Sequence, residues 1–362
     1  MRSPLLALAA FAVIIGGSLF ASTSNADACA GLIGSNGAVN LGRTTTLAGY
    51  HDGNEHYVTS FEFQGTGGGE FGTLIPLPGI PSNVEKGGAW TLQRLVRETT
   101  PQVSATGRPT TADAFASAAE VLIEKKIDAL NITVLRGGGP DVAAWAQEHG
   151  FRLSPDAPEM LDFYAQRSPI FLAAVFDGSA AKERGQKAGD GTPVHLTIPT
   201  DNPWVPLRIL GLGKQASDEV QADVFLLTDK LPRLLPGPRP GFTRSYSANA
   251  SNSLLSDLRS DEGMGWVPQS AWLTKLSINA RVSSLSYDLA VDADGDAAPS
   301  AVAAGLQLPQ PFTAGPGVNV EGRDGSANSR EWRFTWAALI AFGLVIVGAT
   351  AMTLRRTRTV GQ

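Results

Sequence analysis

One cysteine and four histidines in 362 residues leave little for thiol or metal chemistry to use. The lone Cys29 excludes an intrachain disulfide, and no cysteine pair exists to start a zinc site. Charge is sparse as well, at 17% of residues with a formal net of −5. A nucleophile elbow is missing: the position two before Ser35 is Ile33, where the G-x-S-x-G turn needs glycine. With 40 glycines and 23 prolines the composition disfavours a helical bundle and favours a loop-rich fold. A hydrophobic content of 43% suffices for a core, and the length suits one large domain or two ordinary ones.

What the chain does have is apolar ends. Arg2, an apolar run over 5–20 and Ala26-Asp27-Ala28 have the form of a secretory signal, so residues 1–28 are expected to be cleaved. Residues 334–354 carry no charge and are followed by Arg355, Arg356 and Arg358. About 20 residues at ~1.5 Å each match a bilayer core, and the arginines hold the cytoplasmic side. Trp332 and Trp336 fall where an interfacial aromatic belt lies. The expected arrangement is a signal peptide (1–28), an extracytoplasmic domain (29–290), a flexible stalk (291–332), a transmembrane helix (333–354) and a cytoplasmic tail (355–362). Cell-wall sorting fits poorly, because Leu308-Pro309-Gln310-Pro311-Phe312 lacks the Thr-Gly of a sorting site. Cys29 follows the predicted cut. Its open fates are a free or capped thiol, an intermolecular disulfide or lipidation; Asp27 disfavours the last, and a second anchor would duplicate the helix.

Setting aside the four arginines after residue 332 changes the charge of the body from −5 to about −9. Such a field repels nucleic acid and anionic lipid, so neither is an expected partner. The single membrane span and a protein partner at the cell surface are.

Along the body, residues 43–63 predict a β-hairpin turning at Asp52-Gly53-Asn54. Tyr57, Thr59, Phe61 and Phe63 alternate with His56, Val58, Ser60 and Glu62. Residues 73–81, rich in proline, read as a short strand leaving as an extended edge. A short helix is expected over 90–98. Strands follow over 121–135, with Leu130, Ile132 and Val134 on one face. Pro140 opens a helix with Val142, Trp145, Ala146 and His149 on its apolar stripe, and Gly150 closes it. A further helix is expected over 158–166. Strands are expected over 170–176, 194–198, 205–210, 220–228, 272–278 and 282–289. Trp204-Val205-Pro206 and Trp266-Val267-Pro268 raise the idea of an internal duplication. The fold class is therefore α+β, β-rich and mostly antiparallel, with a few short helices and one C-terminal transmembrane helix.

Few residues look chemical. Gly67, Gly69 and Gly72 satisfy G-x-G-x-x-G, but Pro76 and Pro78 forbid the helix that a dinucleotide site requires, so no cofactor is expected. In His51-Asp52-Gly53-Asn54-Glu55-His56 the histidines flank a turn. Paired across the strands with Glu55 beside them they would offer two or three ligands, yet no further cluster completes a metal site. His149 is expected in a core or dipole-stabilising role, and His195 on the polar face of its strand, open to solvent. Asp292, Asp294 and Asp296 mimic part of a calcium loop, but position twelve is Ala303, so an acidic linker is the expectation. No catalytic, cofactor or metal residue is assigned.

Six stretches carry a resemblance when taken in order. They are the hairpin ending EHYVTSFEF, FGTLIPLPGIP, DALNITVLRGGGPDVAAWAQEHGF, RSPIFLAAVFD, NPWVPLRILGLG and ADVFLLTDKLP. Together they resemble the bacterial domain-of-unknown-function 2330 family over most of residues 29–290. That resemblance implies an exported bacterial protein, often with a C-terminal membrane helix, and no established activity. Many members start the mature chain with Cys-Gly; here Cys29 is followed by Ala30 and Gly31. The expected function is a non-enzymatic binding or assembly module at the cell surface, with the edge strand over 73–81 as a candidate for pairing with a partner. The alternative is a surface hydrolase or metal-dependent enzyme built on His51, Glu55 and His56.

Overall fold

The hairpin turn sets the geometry from which the main sheet grows. Asp52 and Gly53 both have positive φ, 49° and 74°, which matches the right-handed twist of the strands they join. The computed structural model describes residues 31–34, 43–61, 71–100, 120–177, 180, 183–185 and 191–308. In chain order the first strands are β1 (Gly31–Gly34), β2 (Arg43–His51), β3 (Asn54–Phe61), β4 (Phe71–Pro76) and β5 (Asn83–Lys86). Helix α1 (Thr91–Thr99) precedes β6 (Glu120–Ile127) and β7 (Leu130–Arg136). Helices α2 (Gly139–Glu148) and α3 (Ala157–Ala165) precede β8 (Ile170–Phe176), β9 (Thr192–Pro199) and β10 (Trp204–Val205). The rest comprises β11 (Glu219–Thr228), β12 (Arg233–Leu235), β13 (Phe242–Asn249), α4 (Asn252–Ser260), β14 (Trp272–Arg281) and β15 (Leu289–Asp292).

A seven-stranded sheet runs β13-β14-β11-β2-β3-β9-β5, and a five-stranded sheet runs β1-β4-β8-β7-β6. Every pairing is antiparallel except β11 with β2. A small sheet, β10-β15-β12, accompanies them. Three apolar clusters stack these elements in layers. Leu92, Leu95, Leu254, Leu255 and Leu258 of α1 and α4 cover Leu47, Val58, Phe225 and Leu227 on one face of the large sheet. Its other face, with Tyr57, Leu196 and Leu226, packs on Ile132, Val134 and Leu172 of the five-stranded sheet. That sheet's far face, Leu74, Phe171 and Ala173, packs on Val142, Trp145, Leu161 and Tyr164 of α2 and α3. The layering is helix, sheet, sheet, helix. Strands enclosed on both faces have no solvent side, which is why IFLAAVF in β8 is buried throughout.

The α+β, mostly antiparallel expectation holds for the described residues. Several details differ. The strand expected over 205–210 is two residues of β10 followed by a 3-10 turn at Arg208–Gly211, since Pro206 has no amide to donate to a ladder. Residues 282–289 begin as a 3-10 turn, and β15 starts only at Leu289. The segment 73–81 is not an edge: β4 lies between β1 and β8. Trp204 belongs to a strand and Trp266 to a loop after α4, so the two Trp-Val-Pro motifs mark no structural repeat. Residues 291–308, expected as stalk, pack on the body: Val291, Ala293, Ala303 and Ala304 are buried. Small alanines fill space that a composition argument reads as open chain. No described helix is long and apolar enough to cross a membrane, and the expected span over 333–354 lies outside the described residues, as do the signal segment and Cys29.

Candidate functional site

His56 stands opposite Gly49 in the β2–β3 ladder, and His51 stands opposite Asn54. The two histidines share a face without pairing, and His51 turns to Asp229, with Nδ1 2.9 Å from Oδ1. Glu55, one residue from His56, points to the other side of the sheet by the two-residue period of a strand. The His51, Glu55 and His56 ligand set is therefore not assembled. Among the described residues no three His, Cys, Asp or Glu side chains converge on a metal position.

His56 instead meets His195 of β9, which the register places opposite Val58, with Nδ1 and Nε2 2.9 Å apart. His195 Nδ1 lies 3.1 Å from Glu85 Oε1 of β5. A carboxylate only accepts, so His195 holds its proton on Nδ1 and presents the bare Nε2, and His56 Nδ1–H donates to it. The result is a line of hydrogen bonds from half-exposed Glu85 inward through two buried rings. His195 is 2% exposed, contrary to the solvated position expected for it. Trp266 lies flat on His56, with centroids 4.0 Å apart and planes within 1°. Gly49 makes room for it: a Cβ there would stand 2.2 Å from the indole. Burial, then the neighbouring His195 and His51, lowers the His56 pKa to about 3. Burial lowers His195 too, against the raising pull of Glu85 and, after it, of the Gly263 backbone.

The loop carrying Trp266 also holds a helix. Asp261 Oδ2 accepts from the Trp90 and Thr91 amides and the Thr91 hydroxyl, each at 2.9 Å, and so caps α1 from 170 residues away. Gly263 has φ +70°, and its Cα side sits against the Lys86 carbonyl and Gly87, where a Cβ would come within 2.5 Å.

On the sheet's other face, Glu55 is 1% exposed. Its Oε2 accepts from the Trp204 amide at 3.2 Å, and Oε1 has no partner among the described residues. Burial raises its pKa to about 8, offset by that one amide. Glu55 lines a pocket with Tyr50, Pro203, Trp204, Leu226, Thr228 and Val291. About 220 Å³ of empty space counts the open mouth, and the enclosed part fits about one water. Small-molecule sites run to ~300 Å³ or more.

A third buried group gathers chain segments. Asp288 Oδ1 accepts from Tyr164 Oη at 2.8 Å and from the Leu207 and Arg208 amides at 2.7 and 3.0 Å. Its Oδ2 pairs with Arg167, whose guanidinium also donates to the Ala303 carbonyl and stacks against Phe163, Tyr164 and Trp204. Burial and then Asp288 push the Tyr164 phenol well above its usual pKa.

The remaining candidates are structural. His149 stacks on Trp145 and bonds its carbonyl at 2.9 Å, and burial lowers it to about 4, which favours the core role over the dipole role. Asp292 accepts from the Ala297 amide and closes a turn, and Asp296 pairs with the distant Lys230. Sequence reasoning placed His195 in solvent, read Trp266 only as part of a repeat, and missed Glu85, Asp261 and Asp288. Alternation along β3 already separates Glu55 from His56; the rest depends on register between distant strands.

A family model described as an uncharacterized protein conserved in bacteria (DUF2330) matches residues 23–233. No curated protein matches the chain. Among solved structures, a mutated baculovirus P35 after caspase cleavage aligns with 70% of this chain and 94% of its own. Its identity is 8% and its TM-score 0.34, too low to carry an argument on fold or function.

Proposed function

Since the chain belongs to the DUF2330 family of uncharacterized bacterial proteins, we propose a function on residue chemistry alone: a membrane-anchored, extracytoplasmic, non-enzymatic binding or assembly module. The observation that carries it is where the buried titratable groups of the described body are spent. Asp261 caps a distant helix, Asp288 joins α3 to the segments 204–209 and 300–306, and the His56–His195 pair holds the Trp266 loop. Glu55 faces room for about one water. These groups hold the protein together, and recognition is left to its surface.

Strand addition is not the favoured mode. β13 carries a bulge between Arg244 and Tyr246, β6 a bulge between Val121 and Ile123 with exposed Glu120, Glu124, Lys125 and Lys126, and β1 and β5 have four residues each. Bulges, charge and shortness are the features that discourage edge pairing. A partner therefore docks on faces or loops, and the acidic body favours a basic one.

Crosslinking of the full chain in its native membrane tests the binding role. A discrete species heavier than the monomer is expected; a chain that stays monomeric with no copurifying protein contradicts the proposal. Placement has its own test. A reporter fused after Gln362 is expected to be active on the cytoplasmic side, and activity outside would overturn the topology.

A further inference from the structure

The two buried histidines have a property that a structural hydrogen bond between other residues lacks. Their facing nitrogens, 2.9 Å apart, hold together only while one carries a proton and the other does not. A second proton turns the contact into two donors on two cations, face to face. We propose that this pair is an acid-sensitive latch on residues 261–267: double protonation parts the rings and releases Trp266 together with the loop that caps α1.

The surroundings make the loop the element that yields. His56 and His195 sit in β3 and β9, inside the seven-stranded ladder, and cannot move apart without breaking it. Trp266 is held by ring contacts, 4.0 Å from His56 and 5.8 Å from His195 by centroid. Its indole nitrogen is buried with no partner among the described residues, so no hydrogen bond from them to the ring opposes its departure. The loop also meets the latch through Gly263 and the Glu262 carbonyl, which lie against Gly87, beside His195. Outward movement hydrates both imidazoles at once. Loss of the Asp261 contacts then uncovers the first amides of α1.

The charged neighbours set the direction. From β5, Glu85 favours the protonated form of His195, while Lys86 is paired with Asp128. From β2, His51 opposes a proton on His56 and is itself paired with Asp229. From β3, Glu55 faces the opposite side of the sheet. From the loop, the Gly263 backbone favours the protonated form of His195 more weakly than Glu85 does, Asp261 is committed to α1 and the Glu262 carbonyl to the Gly88 amide. No other titratable side chain of the described residues bonds to the pair.

Closed-state values below the ordinary 6.5 mean that the closed form excludes protons the open form accepts. Closure is therefore fully favoured above about pH 6.5 and weakens as pH falls toward the closed-state values. Each pH unit raises the opening constant by up to about tenfold per histidine.

The test is amide hydrogen exchange on the full chain in detergent, at about pH 7 and about pH 5, corrected for intrinsic exchange. Exchange across residues 261–267 and the start of α1 is expected to accelerate at least about tenfold at the lower pH, with β7 and β8 unchanged. His56→Gln is expected to abolish the response. Should that variant fail to fold, Glu85→Gln carries the test from a half-exposed position: it removes the charge that raises His195 and is expected to move the response to lower pH. Uniform acid exchange across the protein, no acceleration at 261–267, or a response that Glu85→Gln leaves unmoved would each overturn the latch.

Discussion

Replacing Asp288 by alanine is expected to destabilise the body by about 4 kcal/mol, the largest effect of any single change considered. Arg167 and Asp288 are 4% and 0% exposed, so truncating the acid strands a buried guanidinium. It also orphans the Tyr164 hydroxyl and the Leu207 and Arg208 amides. For a domain of this size that corresponds to a fall in Tm of roughly 10 °C or more. Asp288→Asn keeps an acceptor for part of this set and is expected to lose less. Thermal unfolding of both variants measures the difference. Equal, small losses would show that Asp288 does not tie α3 to the segments 204–209 and 300–306.

Glu55→Gln is expected to act in the opposite direction, stabilising the protein at neutral and higher pH. With its pKa raised from 4.5 to about 8, Glu55 keeps in the folded state a proton that the unfolded chain releases. Stability from this group is complete below about pH 4.5 and declines as pH rises, until the folded carboxyl itself ionises near pH 8. At neutral pH the deficit is roughly 3 kcal/mol at 1.36 kcal/mol per pKa unit. Glutamine is neutral at every pH and avoids it, though its amide needs a partner where Glu55 Oε1 has none among the described residues. The histidines work the other way, losing stability as pH falls below about 6.5. Between about pH 4.5 and 6.5 the two slopes oppose each other, so maximal stability is expected near the upper end of that window. Denaturant unfolding across pH, wild type against Glu55→Gln, checks both limbs. A variant no more stable than wild type at about pH 8 would contradict the buried neutral acid.

Much of the architecture was legible because local chemistry and tertiary structure agree. Asp52-Gly53 demands a tight hairpin turn, Pro140 and Gly150 bracket α2, and apolar runs such as residues 170–176 mark enclosed strands. What escaped notice is what depends on distant partners. β13 has the sequence FTRSYSAN, whose polar edge carries no apolar period, and it becomes a strand by pairing with β14. The alanine-rich stretch after β15 reads as stalk until Arg167 and Asp288 bind its backbone. The candidate site divides the same way. Alternation alone sends Glu55 and His56 to opposite faces. No local feature brings His195 to His56 across 139 residues, or places the Trp266 loop over Gly49.

The central claim is that the buried acids and histidines hold the fold and that the surface performs the recognition. Membrane crosslinking of the full chain carrying Glu55→Gln tests it most directly, near neutral pH, where this variant is expected to be at least as stable as wild type. The predicted result is the same heavier crosslinked species as in wild type, at similar yield. Loss of that species in a folded Glu55→Gln protein would contradict the claim and place the function at that buried carboxyl group.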